Sequence, residues 1–156
     1  MMKKILLIIS IIYLSLNCYS QNIYSGRFKY ISNIIYNFDD QKIYNGRFQY
    51  ESDIIGIFDD THFYDGRFKY LSNISYTWDG KYLYEGRFNY TSNIKFTIID
   101  GKVYEGIFAY DSNQKYLYKD KTLYLGRFPY ESNIILTLDG EIPLPILIIL
   151  IEKFKL

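Results

Sequence analysis

A motif of 20 residues recurs six times, without insertion, between Ile23 and Ile142. In each copy a Tyr is followed, at steps of two, by Gly, Phe and a second Tyr, and then by Ser and its neighbour Asn (Asp in the second copy). Self-similarity at a fixed period indicates a repeat architecture in which each unit packs on the next. The shared structural positions are Tyr24, Gly26, Phe28, Tyr44, Gly46, Phe48, Tyr64, Gly66, Phe68, Tyr84, Gly86, Phe88, Tyr104, Gly106, Phe108, Tyr124, Gly126 and Phe128.

The third copy predicts a strand, a turn and a returning strand. Tyr76 and Trp78 alternate with polar residues, a period of two that is typical of a half-buried strand. Asp79-Gly80 favours positive φ at both centres of a type I′ turn, so we expect Trp78 to oppose Lys81 and Tyr76 to oppose Leu83. Every position equivalent to Leu83 is apolar, and this face is therefore predicted to be the core. These positions are Ile23, Ile43, Phe63, Val103 and Leu123.

Two later copies vary the turn. Asp100-Gly101 in the fourth copy stands one residue later than Asp79-Gly80 in the third. Such an offset would move the strand pairing by two residues, so that Ile98 opposes Val103 and both stay on the core face. The fifth copy has charged residues at 119–121 in place of the Asp-Gly turn, and we expect its hairpin to be looser.

The conserved spacing after each returning strand predicts an aromatic ladder. If the strand continues, Tyr44, Gly46, Phe48 and Tyr50 lie on the face opposite Ile43. Glycine weakens a strand unless something needs the space above it. We therefore expect a ring from the adjacent copy to lie across each Gly, and the Tyr and Phe rings to stack along the sheet. The Ser-Asn pair then supplies the turn into the next copy.

These units predict an all-β fold. Residues 21–142 would form six tandem β-hairpins in one elongated antiparallel sheet, a β-hairpin solenoid about 50–60 Å long at ~4.8 Å per strand. A closed trefoil of six hairpins is the alternative. A trefoil would show its strongest self-similarity at about 40 residues, whereas adjacent copies here match as well as alternate ones.

The segment YEGRFNYTSNIKFTIIDGKVYEG, Tyr84 to Gly106, resembles the MORN (membrane occupation and recognition nexus) repeat. Tyr84, Gly86, Phe88 and Asp100-Gly101 occupy the matching positions, and the resemblance extends over all six copies. The period is 20 rather than about 23, and Arg replaces the family's Glu in five copies. The resemblance implies an elongated, twisted antiparallel sheet that contacts proteins or lipids, usually without catalysis.

A second, weaker similarity is to the choline-binding and glucan-binding cell-wall repeats, which are also aromatic-rich 20-residue hairpins on exported proteins. Their tryptophan signature is absent, since Trp78 is the one Trp in the chain. This similarity implies a glycan-binding or cell-wall-binding module.

The two ends of the chain differ from the repeats. Lys3 and Lys4, an apolar stretch from Ile5 to Leu16 and the triplet at 18–20 are typical of a cleavable signal peptide at residues 1–20. Cys18 also allows lipid attachment in a bacterial style. We therefore expect an exported protein that is periplasmic or secreted, with a lipid anchor at this Cys as the alternative. Residues 143–156 are apolar and Pro-containing, and they are interpreted as a cap on the repeats or an exposed tail.

All five arginines stand at one repeat position. In a regular stack they would form a row that binds phosphates, sulfated glycans or anionic headgroups, because the guanidinium fork holds oxyanions bidentately. Alternatively, each Arg stacks on neighbouring rings and pairs with acids such as Asp65, Glu85 or Glu105. The candidate binding residues are Arg27, Arg47, Arg67, Arg87 and Arg127.

Composition argues against several classes of function. A formal charge of +1 predicts no nucleic-acid partner, and the acid pairs Asp39-Asp40 and Asp59-Asp60 are interpreted as turn residues rather than metal ligands. His62 is the single His, and no locally unique set of nucleophile and base stands out, so we predict no catalytic residue, metal or cofactor. The predicted function is an exported, non-enzymatic scaffold that contacts a protein or the cell envelope. The alternative is a glycan- or wall-binding module that uses the aromatic and Arg rows, with anionic lipid as a further possible ligand.

Overall fold

The computed structural model describes residues 20–155, as twelve strands, six single-turn 3-10 helices and one α-helix. The predicted signal peptide and the lipid attachment at Cys18 fall on residues 1–19 and lie outside the described residues. The strands are β1 (Gln21–Ser25), β2 (Ile34–Asp39), β3 (Lys42–Asn45), β4 (Ile54–Phe58), β5 (His62–Asp65), β6 (Ile74–Trp78), β7 (Tyr82–Glu85), β8 (Ile94–Ile99), β9 (Lys102–Glu105), β10 (Gln114–Lys119), β11 (Thr122–Leu125) and β12 (Ile134–Leu138). The 3-10 helices are Ile31–Asn33, Glu51–Asp53, Leu71–Asn73, Thr91–Asn93, Asp111–Asn113 and Glu131–Asn133, and α1 is Leu144–Phe154.

The twelve strands form one closed antiparallel barrel in which every strand pairs with its sequence neighbours and β1 pairs with β12. The predicted elongated open sheet is therefore wrong. An open stack of this length leaves an edge strand with unpaired N–H and C=O groups at each end, and closure pairs both edges with each other. The trefoil alternative shares the closure but not the arrangement, because all twelve strands lie in a single ring.

Closure builds a sixth hairpin from the two ends of the repeat region. Ile23 pairs with Leu138 and Tyr24 with Thr137, in the register that joins Ile43 to Phe38 within the first copy. The carboxylate of Asp139 accepts the Asn22 N–H at 2.7 Å, although the two residues are far apart in the chain. The β12–β1 pair thus reproduces an ordinary hairpin whose connecting turn is interrupted.

All the hairpin turns stand at the same place in the repeat, which corrects the predicted offset. Trp78 pairs with Leu83, not with Lys81, so the third copy has the register that Ile98 and Val103 have in the fourth. Gly80, at φ 97°, is the first central residue of its turn, and Asp79 precedes the turn rather than forming its centre. The predicted pairing of Ile98 with Val103 is confirmed. The fifth hairpin pairs from Tyr116 to Lys119 and is no shorter than the fourth.

The inside of the barrel is filled by α1. The predicted core face is confirmed, since the side chains equivalent to Leu83 are completely buried. The helical side chains from Ile146 to Leu150 are equally inaccessible and form one cluster with that face. Each aliphatic side chain buried in this way contributes about 1.5–3 kcal/mol. The C-terminal segment thus supplies the centre of the core.

The helix passes through the barrel from one end to the other. It starts at Leu144, shortly after Asp139, at the end of the barrel that carries the hairpin turns. Pro145 is accommodated in its first turn, where no backbone donor is lost. Near its other end the Lys153 ammonium lies 2.6 Å from Asp65 Oδ1, where β5 finishes. Eleven residues at 1.5 Å give about 16 Å, close to the ~17 Å of a five-residue strand. Among residues 20–155, no helix has the length and apolar character needed to span a bilayer.

Candidate functional site

Six equivalent loops join the hairpins at the end of the barrel opposite the turns. Each runs from the repeat Gly to the repeat Asn or Asp, and we call it a petal, numbered one to six along the chain. The petals are residues 26–33, 46–53, 66–73, 86–93, 106–113 and 126–133. Their sequence is the Gly-Arg-Phe-x-Tyr-x-Ser-Asn part of the repeat, with Ile107 in place of Arg in the fifth.

Each petal begins because glycine turns the chain out of its strand. The six glycines have φ between 71° and 82°, a region that side chains disfavour, and a Cβ built on any of them would meet nothing within 4 Å. The prediction that a ring from the adjacent copy occupies this space is wrong. The strand ends one residue before the Gly, so the alternation that was extended to Phe and Tyr no longer applies.

The petals are fastened to the outer wall of the barrel. The Thr77 hydroxyl donates to the Gly86 carbonyl at 2.9 Å. In the same way Thr97 donates to the Gly106 carbonyl, and Thr137 donates to the Gly26 carbonyl across the closure of the barrel. Gln49 Nε2 donates to Asn37 Oδ1 at 2.8 Å, which ties the second petal to β2. The final turn is a 3-10 helix, as in Asn33, whose amide donates to the Phe28 carbonyl. The Ser-Asn pair therefore does form the turn into the next copy.

Each petal carries a pair of aromatic rings at the surface, stacked in five petals and tilted by 33° in the second. Phe28 and Tyr30 have ring centroids 5.4 Å apart, and the other five petals repeat this pair at 5.4–5.6 Å. The Phe side chains are 47–59% exposed and the Tyr side chains 60–62%. By contrast the first Tyr of the repeat, exemplified by Tyr44, is buried on the barrel wall. The rings therefore stack within petals, and the predicted ladder across copies is absent from the described residues.

The arginines extend these stacks. Each guanidinium carbon lies over the Phe ring of its own petal, at distances from 4.4 Å for Arg47 to 5.5 Å for Arg127. The alternative of ring stacking is thus what the structure shows. The acids named from the sequence pair elsewhere: Glu85 with Lys95, Glu105 with Lys115 and Asp65 with Lys153.

The five arginines differ in their ionic partners. Arg27 Nη1 lies 2.6 Å from Glu131 Oε2, and Arg127 Nη2 lies 3.0 Å from Asp111 Oδ2. Both bonds join neighbouring petals. Within residues 20–155, no carboxylate lies within 4 Å of the guanidinium nitrogens of the other three, which are Arg47, Arg67 and Arg87.

Other polar groups belong to the turns. Burial alone would raise the pKa of Asp59, but hydrogen bonds from the His62 and Thr61 N–H groups and the Tyr64 hydroxyl hold that pKa below its usual value. The part of the chain that the structure describes holds no cluster of three or more metal-ligating side chains. A shallow pocket of about 210 Å³ beside Asp40 and Lys69 is smaller than the pockets that enclose small ligands.

The most extensive candidate surface is therefore the ring of six petals, with twelve exposed aromatic side chains and five arginines. Sequence reasoning identified the arginines but assigned the Phe and Tyr rings to the packed sheet. The Gly that begins each eight-residue stretch and the Ser-Asn pair that ends it were the sequence signs of a loop, because these residue types favour turns.

The chain matches a known family of β proteins. A family model described as "6-fold beta flower protein" matches residues 21–148, which include all twelve strands and the start of α1. The resemblance to MORN repeats is therefore wrong. The residues that carried it, such as Tyr84 and Gly86, serve to end a barrel strand and begin a petal here. No curated protein and no solved structure matches the chain.

Proposed function

Because the chain belongs to the 6-fold beta flower family, we propose a function from the surface that this fold displays: a non-enzymatic scaffold that contacts a protein or cell-envelope partner through its petals. The family description states a shape and no activity, so the support comes from the petals themselves.

One observation carries the proposal. Twelve large aromatic side chains are about half exposed, in six equivalent pairs on one ring. Apolar surface that is contiguous and rimmed by polar groups marks sites of interaction, and Tyr, Phe and Arg are enriched at the centres of interfaces. Tyr and Phe also lose little conformational entropy on binding, because their side chains have few rotatable bonds.

A glycan- or wall-binding module is the second candidate. In each pair the second Tyr is the more exposed ring and carries a hydroxyl, and in five of the six petals an Arg lies over the Phe ring. Such a ring can pack on the apolar face of a sugar while the polar groups bond its hydroxyls. The six-fold arrangement would let a repeating polymer engage several petals at once.

Export to the periplasm or beyond remains part of the proposal. It is supported by the basic, apolar and small-residue pattern of residues 1–20, and export would bring the petals within reach of envelope components. An anchored form through Cys18 would hold the barrel at a membrane.

The test replaces the exposed tyrosines of three petals, Tyr50, Tyr70 and Tyr90, by Ala. Wild type and variant are immobilised and exposed to detergent-solubilised envelope proteins, to a glycan array and to vesicles. The scaffold function predicts a protein partner that binds wild type and is lost by the variant. The matched control is Lys95→Ala with Lys115→Ala, which changes exposed residues on strands outside the petals.

Two results would contradict the scaffold. Retention of the same partner by the variant would place binding outside the petals. Binding to arrayed glycans alone, lost by the tyrosine variant, would favour the wall-binding module instead.

A further inference from the structure

Two of the petal arginines, Arg27 and Arg127, each bind a carboxylate of a neighbouring petal. Arg127 reaches Asp111, sixteen residues earlier, in the preceding petal. Arg27 reaches Glu131, which stands at the corresponding position of the sixth petal because the barrel closes there. In both cases the acid is the residue directly after the second Tyr of the neighbouring petal. We call this position, facing the arginine of the next petal, the carboxylate seat.

Two seats lack their acid. The residue that stands at the seat of Arg47 is Ile31, and the residue at the seat of Arg87 is Leu71. Both aliphatic side chains are about two-thirds exposed. Arg67 differs, because Glu51 stands at its seat, although the Glu51 carboxylate lies 3.9 Å from Lys42 Nζ.

The two arginines without an acid also sit differently. Arg47 and Arg87 lie 4.4 and 4.5 Å from the centroids of their own Phe rings, against 5.3 and 5.5 Å for Arg27 and Arg127. A guanidinium that stacks through its face keeps its N–H donors at the edge, where they can hold a carboxylate bidentately. Each of these groups is thus preorganised by a ring, and the equivalence of the repeat positions puts an exposed aliphatic residue at its seat.

We propose that Arg47 and Arg87 bind the carboxylates of an acidic, partly apolar protein segment, one at the seat between petals one and two and one at the seat between petals three and four. This inference rests on the proposed scaffold function and names the chemistry of its partner. The occupied seats of Arg27 and Arg127 are the internal precedent for the bond.

The neighbouring side chains favour a polypeptide over the other anions. Ile31 and Leu71 suit an apolar side chain that follows an Asp or Glu, whereas sugars are recognised by aromatic faces. The Phe rings at these seats are already engaged by an Arg and a Tyr. The seats are two petals apart on a ring of six, a third of a turn, so a flexible chain can reach both more readily than a flat bilayer can.

The test fills the seats from within. In Ile31→Glu with Leu71→Glu the protein supplies its own carboxylates, as it already does at Glu131 and Asp111. The probe is a fluorescein-labelled peptide of twelve residues made of Glu, Leu and Gly, and binding is measured by fluorescence anisotropy. We expect the double variant, and likewise Arg47→Gln with Arg87→Gln, to bind the peptide at least tenfold more weakly than wild type.

The matched control adds the same two negative charges at petal positions that do not face an arginine. Thr91 stands at the seat that faces Ile107, and Ala109 lies on the same fifth petal as Ile107. We expect Thr91→Glu with Ala109→Glu to change peptide affinity less than twofold. Thermal melts establish that every variant is folded, which surface positions of this kind should permit.

Several results would overturn the inference. The first is that wild type does not bind the peptide. The second is that Ile31→Glu with Leu71→Glu binds the peptide as tightly as wild type, and the third is that the control loses as much affinity as this variant. Seat-dependent binding of polygalacturonate or of phosphatidylglycerol vesicles without peptide binding would assign the seats to a glycan or a membrane. A partner captured through the petal tyrosines but indifferent to the seats would leave the scaffold function standing and remove this inference alone.

Discussion

A single carboxylate organises the turns led by Asp59, Asp79 and Asp139. Asp79 Oδ1 accepts the Lys81 and Tyr82 N–H groups at 2.9 and 2.7 Å, and Oδ2 accepts the Tyr84 hydroxyl at 2.7 Å. Burial alone would raise the pKa of Asp79, but these hydrogen bonds hold it below its usual value. Asp139 makes the same contacts with Asn22 and Tyr24 across the junction of the chain ends. The side chain therefore closes a turn whether or not the backbone is continuous.

Replacing this carboxylate should separate its acceptor role from its charge. We expect Asp79→Ala to lower the free energy of unfolding by about 1–3 kcal/mol, because the N–H donors and the Tyr84 hydroxyl lose their acceptor. Asp79→Asn keeps an acceptor oxygen and should cost less. Urea denaturation measures both variants, and equal losses would show that the hydrogen bonds do not matter.

The buried tyrosines should make the fold sensitive to alkali. Burial raises the pKa of Tyr76 to about 12, and burial with the nearby Glu141 raises the pKa of Tyr118 to about 12. In the unfolded chain a tyrosine ionises near pH 10, so between about pH 10 and 12 the unfolded state binds fewer protons than the native state. Stability from these groups is complete below pH 10 and falls as the pH rises above it.

Thermal melts at half-unit steps from pH 8.5 to 11.5 test this expectation. The melting temperature should begin to fall near pH 10, and Tyr76→Phe should reduce the slope because it removes one of the ionising hydroxyls. A melting temperature that stays level to pH 11.5 would contradict the assigned shift.

Among the elements, α1 differs most from the repeats in sequence and contributes most to the core. A barrel of twelve strands encloses more space than the inward side chains of its own strands fill, and α1 occupies that space with a run of buried aliphatic residues. Lys153 at its end bonds Asp65, which also accepts the Ser75 hydroxyl, and these bonds link the end of α1 to β5 and β6.

Substitutions in the helix should therefore cost as much as substitutions in any core. We expect Ile148→Ala and Ile149→Ala each to destabilise the protein by about 2–5 kcal/mol, because each leaves a cavity at the centre of the barrel. Leu71→Ala, on an exposed petal position, is the control and should change stability by less than about 0.5 kcal/mol. Equal effects at the two kinds of position would contradict the placement of α1 inside the barrel.

At the scale of the whole molecule, the β1–β12 pair decides the shape. Twist accumulates from strand to strand, and after six hairpins the first and last strands meet in the register of an ordinary hairpin. The petals then lie on a ring rather than along a row. The spacing of the Arg residues, and which acids they can reach, follow from this closure.

A disulfide across the junction tests the closure directly. Asn22 and Asp139 exchange backbone and side-chain hydrogen bonds at the interrupted turn. In a background with Cys18→Ser, the pair Asn22→Cys and Asp139→Cys should oxidise, and the oxidised form should melt higher than the reduced form. The chain-entropy estimate for a loop of about 100 residues is ~4.7 kcal/mol, an upper figure that strain reduces.

The control for the disulfide is Asn22→Cys with Asp79→Cys, which places the second thiol on an equivalent turn of another hairpin. No intramolecular disulfide should form in that variant. If the Asn22→Cys and Asp139→Cys pair also failed to oxidise, the result would contradict the pairing of β1 with β12.

Much of the local structure could be read from the sequence. The alternation around Tyr76 and the apolar positions equivalent to Leu83 predicted the strands and their inner face, because side-chain period and burial are local properties of a strand. The turn register was missed at Asp79-Gly80, since an Asp before a turn and an Asp within it look alike in sequence. The petals were missed because the Tyr-x-Gly-Arg-Phe-x-Tyr spacing of two continues past the end of the strand.

The sequence by itself determined the unit: a 20-residue strand–turn–strand repeat with an apolar inner face, and an Arg and two rings at fixed places in nearly every copy. The tertiary structure alone decided that six units close into a ring, that residues 144–154 fill it, and that the Phe and Tyr rings face outward on petals. The reason is that an open row and a closed ring satisfy the same local periodicity. They differ in the twist summed over twelve strands, in the pairing of two distant edges, and in the space left for a central helix.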